Sequence, residues 1–277
     1  MKKVIINCCL TGMVPTKEMN PYVPITPEEI VKDAMACKKL GCSIVHIHPR
    51  DKDGKPTWKK EYFKKIIGMI REKAPELLIS ATTSGRHWPE FEKRSECLEL
   101  SGDYKPDMAS LTVGSMNFMH DPSTNSPQII EQLALKMKEK GIKPELEIFE
   151  AGMIHKAKFL MEKNILSSEK PYFNIFFGNL GTAPLDAVSV GSFLGILPLG
   201  SIYSFGGIGR FQLDSNMAGV AFDGNIRVGL EDNIFMDAEK KHPASNAMLV
   251  ERIVKIIKLS GREIATPKET RKMLNIK

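Results

Sequence analysis

Residues 25–51 read ITPEEIVKDAMACKKLGCSIVHIHPRD, and the pattern of this stretch predicts one complete helix–strand unit. The Thr-Pro-Glu-Glu sequence at 26–29 predicts the start of a helix, with a capping box and proline at the first helical position. Apolar residues then recur at helical spacing until Gly41, which predicts the end of the helix. The apolar run at 43–48 predicts a buried strand.

The same alternation continues along the chain. Further helical patterns lie at 62–70, 129–140, 153–164 and 244–259, and a second capping box opens a short helix at Thr266. The helical pattern is weakest after the third, sixth and seventh apolar runs. Buried strands are predicted at 4–10, 43–48, 77–82, 107–112, 145–149, 172–177, 202–206 and 226–230.

Eight strands alternating with helices predict an α/β fold, a (β/α)₈ TIM barrel. No linker or low-complexity segment divides the chain, so we expect one domain over residues 1–277. An open, doubly wound sheet is the rival fold, but it usually carries a G-x-G-x-x-G turn after an early strand, and this sequence has none. The glycine-rich segment 206–210 follows the seventh strand, a common place for a phosphate site in barrels.

Composition narrows the function classes. Hydrophobic residues make up 42% and charged residues 26%, as in ordinary globular proteins, and no apolar run approaches the roughly 20 residues of a membrane span. The net charge of +6 is spread over helical segments without a basic tract or nucleic-acid motif, so it indicates a solvated surface rather than a nucleic-acid partner. The five cysteines form no C-x-x-C pair, which favours a reducing cytoplasm.

In a barrel, reactive residues gather at the carboxyl ends of the strands. The second strand ends with His46 and His48, which alternation places on one side of the strand. Two neutral imidazoles on one face suit a transition metal such as zinc. The alternative is a pair of hydrogen-bonded histidines, one serving as a general base.

The eighth strand ends in a charged segment that runs from Arg227 to Asn233. A catalytic zinc needs a third protein ligand and an open position, and Glu231 is the candidate ligand. Asp232, fixed by Arg227, is the candidate base. The alternative is an arginine–carboxylate ion pair that only closes the barrel.

Two further strand ends carry polar candidates. The fifth strand carries Glu145 and Glu147, and Glu147 is predicted to belong to the site because it lies nearer the carboxyl end. The alternative is that it forms a structural ion pair with an inward-facing lysine or arginine. The turn with Thr82 and Gly85 after the third strand offers hydroxyls, backbone N–H groups and close approach to a carboxylate or phosphate, although such turns also form for local reasons. Ser110 on the fourth strand could add a hydroxyl contact.

Taken together, segments 25–30, 45–51, 144–153, 207–210 and 229–233 resemble the β-keto acid cleavage enzymes along essentially the whole chain. The resemblance implies a zinc-bearing barrel, commonly a homotetramer, that converts a β-keto acid and acetyl-CoA into acetoacetate and a new acyl-CoA. By this resemblance, the zinc ligands are matched by His46, His48 and Glu231. Asp232 matches the base, Arg227 its partner and Glu147 an acidic residue of the site. The positions that hold the β-keto acid are matched by Thr82, Gly85 and Ser110.

The sequence departs from family members that act on an amino-substituted keto acid. Those members have glutamate at the position of Val14, where it meets the substrate ammonium. Valine would leave an ammonium unpaired, so we expect an apolar substrate tail. If Arg86 points inward, a second substrate carboxylate is expected instead.

Two alternative functions remain consistent with the sequence at this point. The same metal ligands could serve a zinc-dependent hydrolase or aldolase that does not use CoA. A non-catalytic metal-binding or ligand-binding scaffold is the other reading, and the intact set of Arg227, Glu231 and Asp232 argues against it.

Overall fold

The computed structural model describes residues 2–119 and 121–276, which form a closed barrel of parallel strands surrounded by helices. Each strand pairs with its neighbours in the chain, and the first strand closes on the last, with Asn7 opposite Arg227. All eight predicted strands and the (β/α)₈ fold are confirmed. The barrel strands are β1 (Ile6–Cys9), β2 (Ile44–Ile47), β3 (Leu78–Ala81), β4 (Met108–Thr112), β5 (Lys143–Ile148), β6 (Tyr172–Phe177), β7 (Ile202–Gly207) and β8 (Asn225–Val228).

The helices begin and end where their capping chemistry requires. At the start of α1, the Thr26 hydroxyl accepts from the Glu29 N–H while the Glu29 carboxylate accepts from the Thr26 N–H. Gly41 ends this helix with φ of 115°, a conformation that glycine adopts without strain. The helices are α1 (Pro27–Leu40), α2 (Lys60–Lys73), α3 (Phe91–Ser95), α4 (Pro127–Lys140), α5 (Ala151–Glu162), α6 (Ala187–Ile196), α7 (Gln212–Ala221), α8 (Asn246–Leu259) and α9 (Pro267–Met273).

The connection after β4 contains a feature that the sequence did not predict. Met116–Asn117 pairs antiparallel with Pro122–Ser123 to form a small two-stranded ribbon. Met116 and Ser123 line the same cavity as the carboxyl ends of the barrel strands. The ribbon therefore adds a wall to the end of the barrel where reactive groups are expected. Within the described residues, every helix is too short or too polar to cross a membrane.

The barrel interior is polar at the level of Glu145, a residue with no exposed surface. Its carboxylate accepts hydrogen bonds from the side chains of Asn7, Ser80 and Asn174, each contributed by a different strand. A buried carboxylate is tolerated only when its oxygens are well satisfied, and here the neighbouring strands supply the donors. This polar layer supports the residues at the mouth of the barrel from below.

Candidate active site

Arg227 is the centre of the charged cluster, and its side chain is 1% exposed. Its Nε lies 3.0 Å and its Nη2 3.2 Å from the two oxygens of Asp232. The same Nη2 donates to Glu231 Oε1 at 2.8 Å, and Nη1 lies 3.4 Å from Glu147 Oε1. The ring of Phe176 lies 4.6 Å from the guanidinium carbon. One buried cation thus positions three carboxylates from two strand ends.

His46, His48 and Glu231 bring their ligand atoms together at the mouth of the barrel. The two histidine Nε2 atoms are 3.1 Å apart, and His48 Nε2 lies 3.3 Å from Glu231 Oε1. One ligand atom from each residue lies within 4.8 Å of the others, close enough to hold one metal ion. Glu231 Oε2 is buried without a hydrogen-bond partner, as expected of an atom reserved for a ligand. The donor set of two imidazoles and one carboxylate fits zinc with an open position.

Glu145 has a role that the sequence reasoning missed. Its Oε2 lies 2.8 Å from His46 Nδ1, so the carboxylate orients the ring and leaves Nε2 facing His48 and Glu231. Burial lowers the pKa of His46, but the charges of Glu145 and Glu231 outweigh it and raise the pKa to about 9. Burial likewise opposes ionisation of Glu145, yet the charge of His46 prevails and lowers its pKa to about 2. Its spacing of two from Glu147, on the same strand face, was the available signal.

Besides Glu231, the carboxyl groups of Asp232 and Glu147 also face the cavity beside Arg227. Burial raises the pKa of both groups, and the charge of Arg227 partly offsets the rise. Glu147 Oε2 also accepts from the Thr112 hydroxyl at 2.7 Å. A carboxylate with a raised pKa, held in one orientation by a fixed cation, is suited to accept a proton from a bound molecule.

A cavity of about 540 Å³ opens directly above this cluster. Of the residues predicted to bind substrate, Val14, Thr82 and Arg86 line it. Its floor carries charged groups and its outer wall is largely apolar. Residues of the outer wall include Met13, Pro15, Met19, Met116, Phe118, Phe149, Phe211, Ile234 and Phe235.

Gly85 and Ser110 lie behind the wall of the cavity and shape the loop that forms it. Ser110 is 2% exposed, and its hydroxyl accepts from the Thr83 N–H at 3.2 Å. A Cβ atom added to Gly85 would lie 2.5 Å from Arg94 Nη1, so a larger residue there would require the Arg94 side chain to shift. The structure therefore places these two residues as supports of the loop 82–86.

The loop that carries Glu231 and Asp232 is held by residues that the sequence did not single out. Asn246 is fully buried; its amide oxygen accepts from the Leu230 N–H, and its amide nitrogen donates to the Leu10 carbonyl, both at 2.8 Å. Gly229 has φ of 151°, and a Cβ there would lie 2.2 Å from the Cys9 carbonyl oxygen. Only glycine fits this turn, so the chain can bring both acids back over the barrel.

The chain is similar in sequence to known enzymes along its whole length. The chain is 38% identical to the 3-keto-5-aminohexanoate cleavage enzyme of Fusobacterium nucleatum, over 100% of this chain and 99% of that one. It is 33% identical to the 3-oxoadipate:acetyl-CoA acetyltransferase of Cupriavidus necator, over 98% and 94% of the two chains.

Solved structures share the fold. ObcA, in a ternary complex with a C4-CoA adduct and oxalate, matches with a TM-score of 0.81 and 20% identity, over 92% of this chain and 68% of that one. The profile of the β-keto acid cleavage enzymes matches residues 3–276. The chain therefore belongs to the β-keto acid cleavage enzyme family.

Proposed function

We propose that this enzyme is a zinc-dependent acyltransferase that cleaves a carbon–carbon bond. In the proposed reaction, a β-keto acid and acetyl-CoA give acetoacetate and a new acyl-CoA. The observation that carries the proposal is the His46–His48–Glu231 cluster, with Asp232 held beside it by Arg227, at the floor of a 540 Å³ cavity. Relatives named for acetyl-CoA-dependent transfer support the use of a CoA thioester.

Each residue of the site has a separate role in the proposed reaction. Zinc held by His46, His48 and Glu231 would supply Lewis acidity that favours negative charge on the keto acid oxygens. Asp232 accepts a proton from the carbon between the two carbonyl groups, and Arg227 holds its carboxylate in place. Glu147 completes the wall of the cavity on the opposite side of Arg227. The buried setting strengthens each of these electrostatic effects.

The first test measures acetoacetate released from acetyl-CoA and a pool of β-keto acids. We expect release only when both substrates are present, and loss of release after chelation, restored by adding zinc. Restoration matters because it separates loss of the metal from loss of the fold. Turnover without any CoA ester would contradict the proposal and favour the zinc-dependent hydrolase or aldolase. Binding of the acids without turnover in any mixture would favour the non-catalytic scaffold.

We further propose that the chain forms a homotetramer, with α6 in one of its contacts. Only Val190 and Phe193 of this helix are buried against the barrel, whereas Val188 is 81% exposed and Leu199, just beyond the helix, is fully exposed. The segment 187–200 contains no charged residue. An exposed segment with large apolar side chains and without charge is typical of a subunit interface.

The substitution Val188→Glu tests this contact. Sedimentation velocity should give four times the chain mass of 30.9 kDa for the unmodified enzyme, and smaller species for the variant, because a carboxylate would be desolvated in the interface. Leu259→Glu, at an 88% exposed leucine at the end of α8, is the matched control and should leave the mass unchanged. A monomer before substitution would refute the proposed assembly.

A further inference from the structure

Four cationic side chains line the cavity within the described chain, and Arg86 differs from the other three. Arg227 already forms ion pairs with several carboxylates, while Arg210 and Lys240 are exposed at the mouth. Arg86 is half-buried, and although the charges of Asp121 and Glu231 act on it, no carboxylate of the described residues forms an ion pair with it within 4.0 Å. Its Nε is buried without a hydrogen-bond partner. The inner cavity thus contains one cation whose hydrogen-bonding capacity is unused.

The orientation of Arg86 suits a planar anion. Its guanidinium carbon lies 4.2 Å from the centre of the Phe118 ring. Contact with an aromatic ring occupies one face of a guanidinium and leaves the N–H groups at its edge free. Those N–H groups match the two oxygens of a carboxylate in a bidentate pair.

A second arginine makes the same loop electropositive. Arg94 is 3% exposed, and its described partners, the Thr83 carbonyl and the Asn125 amide oxygen, are both uncharged. Its Nη1 is buried without a partner beside Gly85. Burial lowers the pKa of Arg94 to about 10, which leaves it charged at neutral pH. The charges of Asp121 and Glu231 act on Arg86 and that of Glu147 acts on Arg94, but none of these acids forms a close ion pair with either arginine. An anion bound at the loop 82–86 would therefore gain a direct charge-assisted hydrogen bond.

We infer that Arg86 is a specificity-determining residue that binds the second carboxylate of a β-keto dicarboxylic acid. This inference rests on the proposed function, since it assigns the tail of the substrate whose reacting end faces the metal cluster. Val14, on the same cavity, offers no charge to an ammonium. Arg210 and Lys240 at the mouth of the cavity remain available for the phosphate groups of CoA.

The test compares 3-oxohexanedioate with 3-oxohexanoate, two acids of the same chain length that differ in the terminal carboxylate. Acetoacetate formation from acetyl-CoA gives kcat/KM for each acid, and calorimetry on the zinc-loaded enzyme gives their binding without acetyl-CoA. The unmodified enzyme should prefer the dicarboxylate in both measurements. Arg86→Met should lower kcat/KM for the dicarboxylate by about 100-fold and change the other acid by less than about threefold, because a hydrogen-bonded charge pair is lost for only one substrate.

Two further variants control for misfolding and for the loss of any other cation from the cavity. Arg86→Lys keeps the charge and should retain part of the preference, which a failure to fold would not allow. Arg210→Met removes a cation from the same cavity and should leave the ratio between the two acids unchanged.

The outcomes separate this inference from the proposed function. Acetoacetate formed with a preference for the monocarboxylate, or with equal losses for both acids in Arg86→Met, would overturn the role of Arg86 and leave the reaction standing. Arg86-dependent binding of the dicarboxylate without acetoacetate would uphold the site and overturn the reaction. Absence of both binding and turnover would overturn both.

Discussion

Asp232→Asn is expected to lower kcat/KM for acetoacetate formation by about 10³-fold, the middle of the range for loss of a general base. Asparagine has nearly the shape of aspartate, and its amide oxygen can still accept from Arg227 Nε, which now lies 3.0 Å from Asp232 Oδ2. The position of the neighbouring Glu231 should therefore be preserved, and with it the zinc content. The variant loses only the ability to accept a proton.

Zinc analysis and kinetics on the same preparation check this expectation. Asp214→Asn, at an exposed position on α7, is the matched control and should change neither quantity. Because burial raises the pKa of Asp232, the unmodified enzyme should lose activity as the pH falls through that raised value, and this acidic limb should disappear in the variant. A variant with nearly full activity would show that another group accepts the proton.

The positions of the strands and helices could be predicted from the local sequence. The capping box at 26–29, the stop at Gly41 and the buried run ending in His48 all appear in the structure as expected. Strand alternation also placed His46 and His48 on one face, where their Nε2 atoms are 3.1 Å apart. These features depend on residues near one another in the chain, so sequence spacing carries the information.

Features that depend on packing between distant segments could not be predicted from the sequence. The role of Glu145 follows from its contact with His46, 99 residues away, and alternation alone did not distinguish it from Glu147. Whether Arg86 faces the cavity depends on Phe118, which the unpredicted ribbon after β4 brings beside it. Gly85 and Ser110 were expected at the substrate, yet both pack behind the loop because Arg94 and Thr83 occupy that side. A turn sequence gives the backbone shape but not its tertiary neighbours.

Arg227→Met is expected to destabilise the chelated protein by about 3–5 kcal/mol at neutral pH, the usual cost of removing one partner from a buried ion pair. Methionine fills part of the space against Phe176 but leaves Glu147, Glu231 and Asp232 without their shared cation. Burial already raises the pKa of Glu147 and Asp232, and without Arg227 these two groups would have a still higher pKa in the folded state than in the unfolded chain, whereas the charges of His48 and His46 would continue to lower the pKa of Glu231. Such a group destabilises the fold above its unfolded pKa, and the penalty shrinks as the pH falls through the folded value.

The difference in unfolding free energy between Arg227→Met and the unmodified enzyme should therefore be smaller at about pH 5.5 than at about pH 7.5. Urea unfolding of both proteins, chelated so that metal loss does not contribute, measures it. Arg262→Met is the matched control, since Arg262 is also buried but donates to the Val220 and Gly224 carbonyls. Its destabilisation should not depend on pH, because no carboxylate is left unpaired. If the change in unfolding free energy depended on pH equally in both variants, the charge of Arg227 would not stabilise the ionised carboxylates around it. The electrostatic explanation of how this cluster is held together would then be wrong.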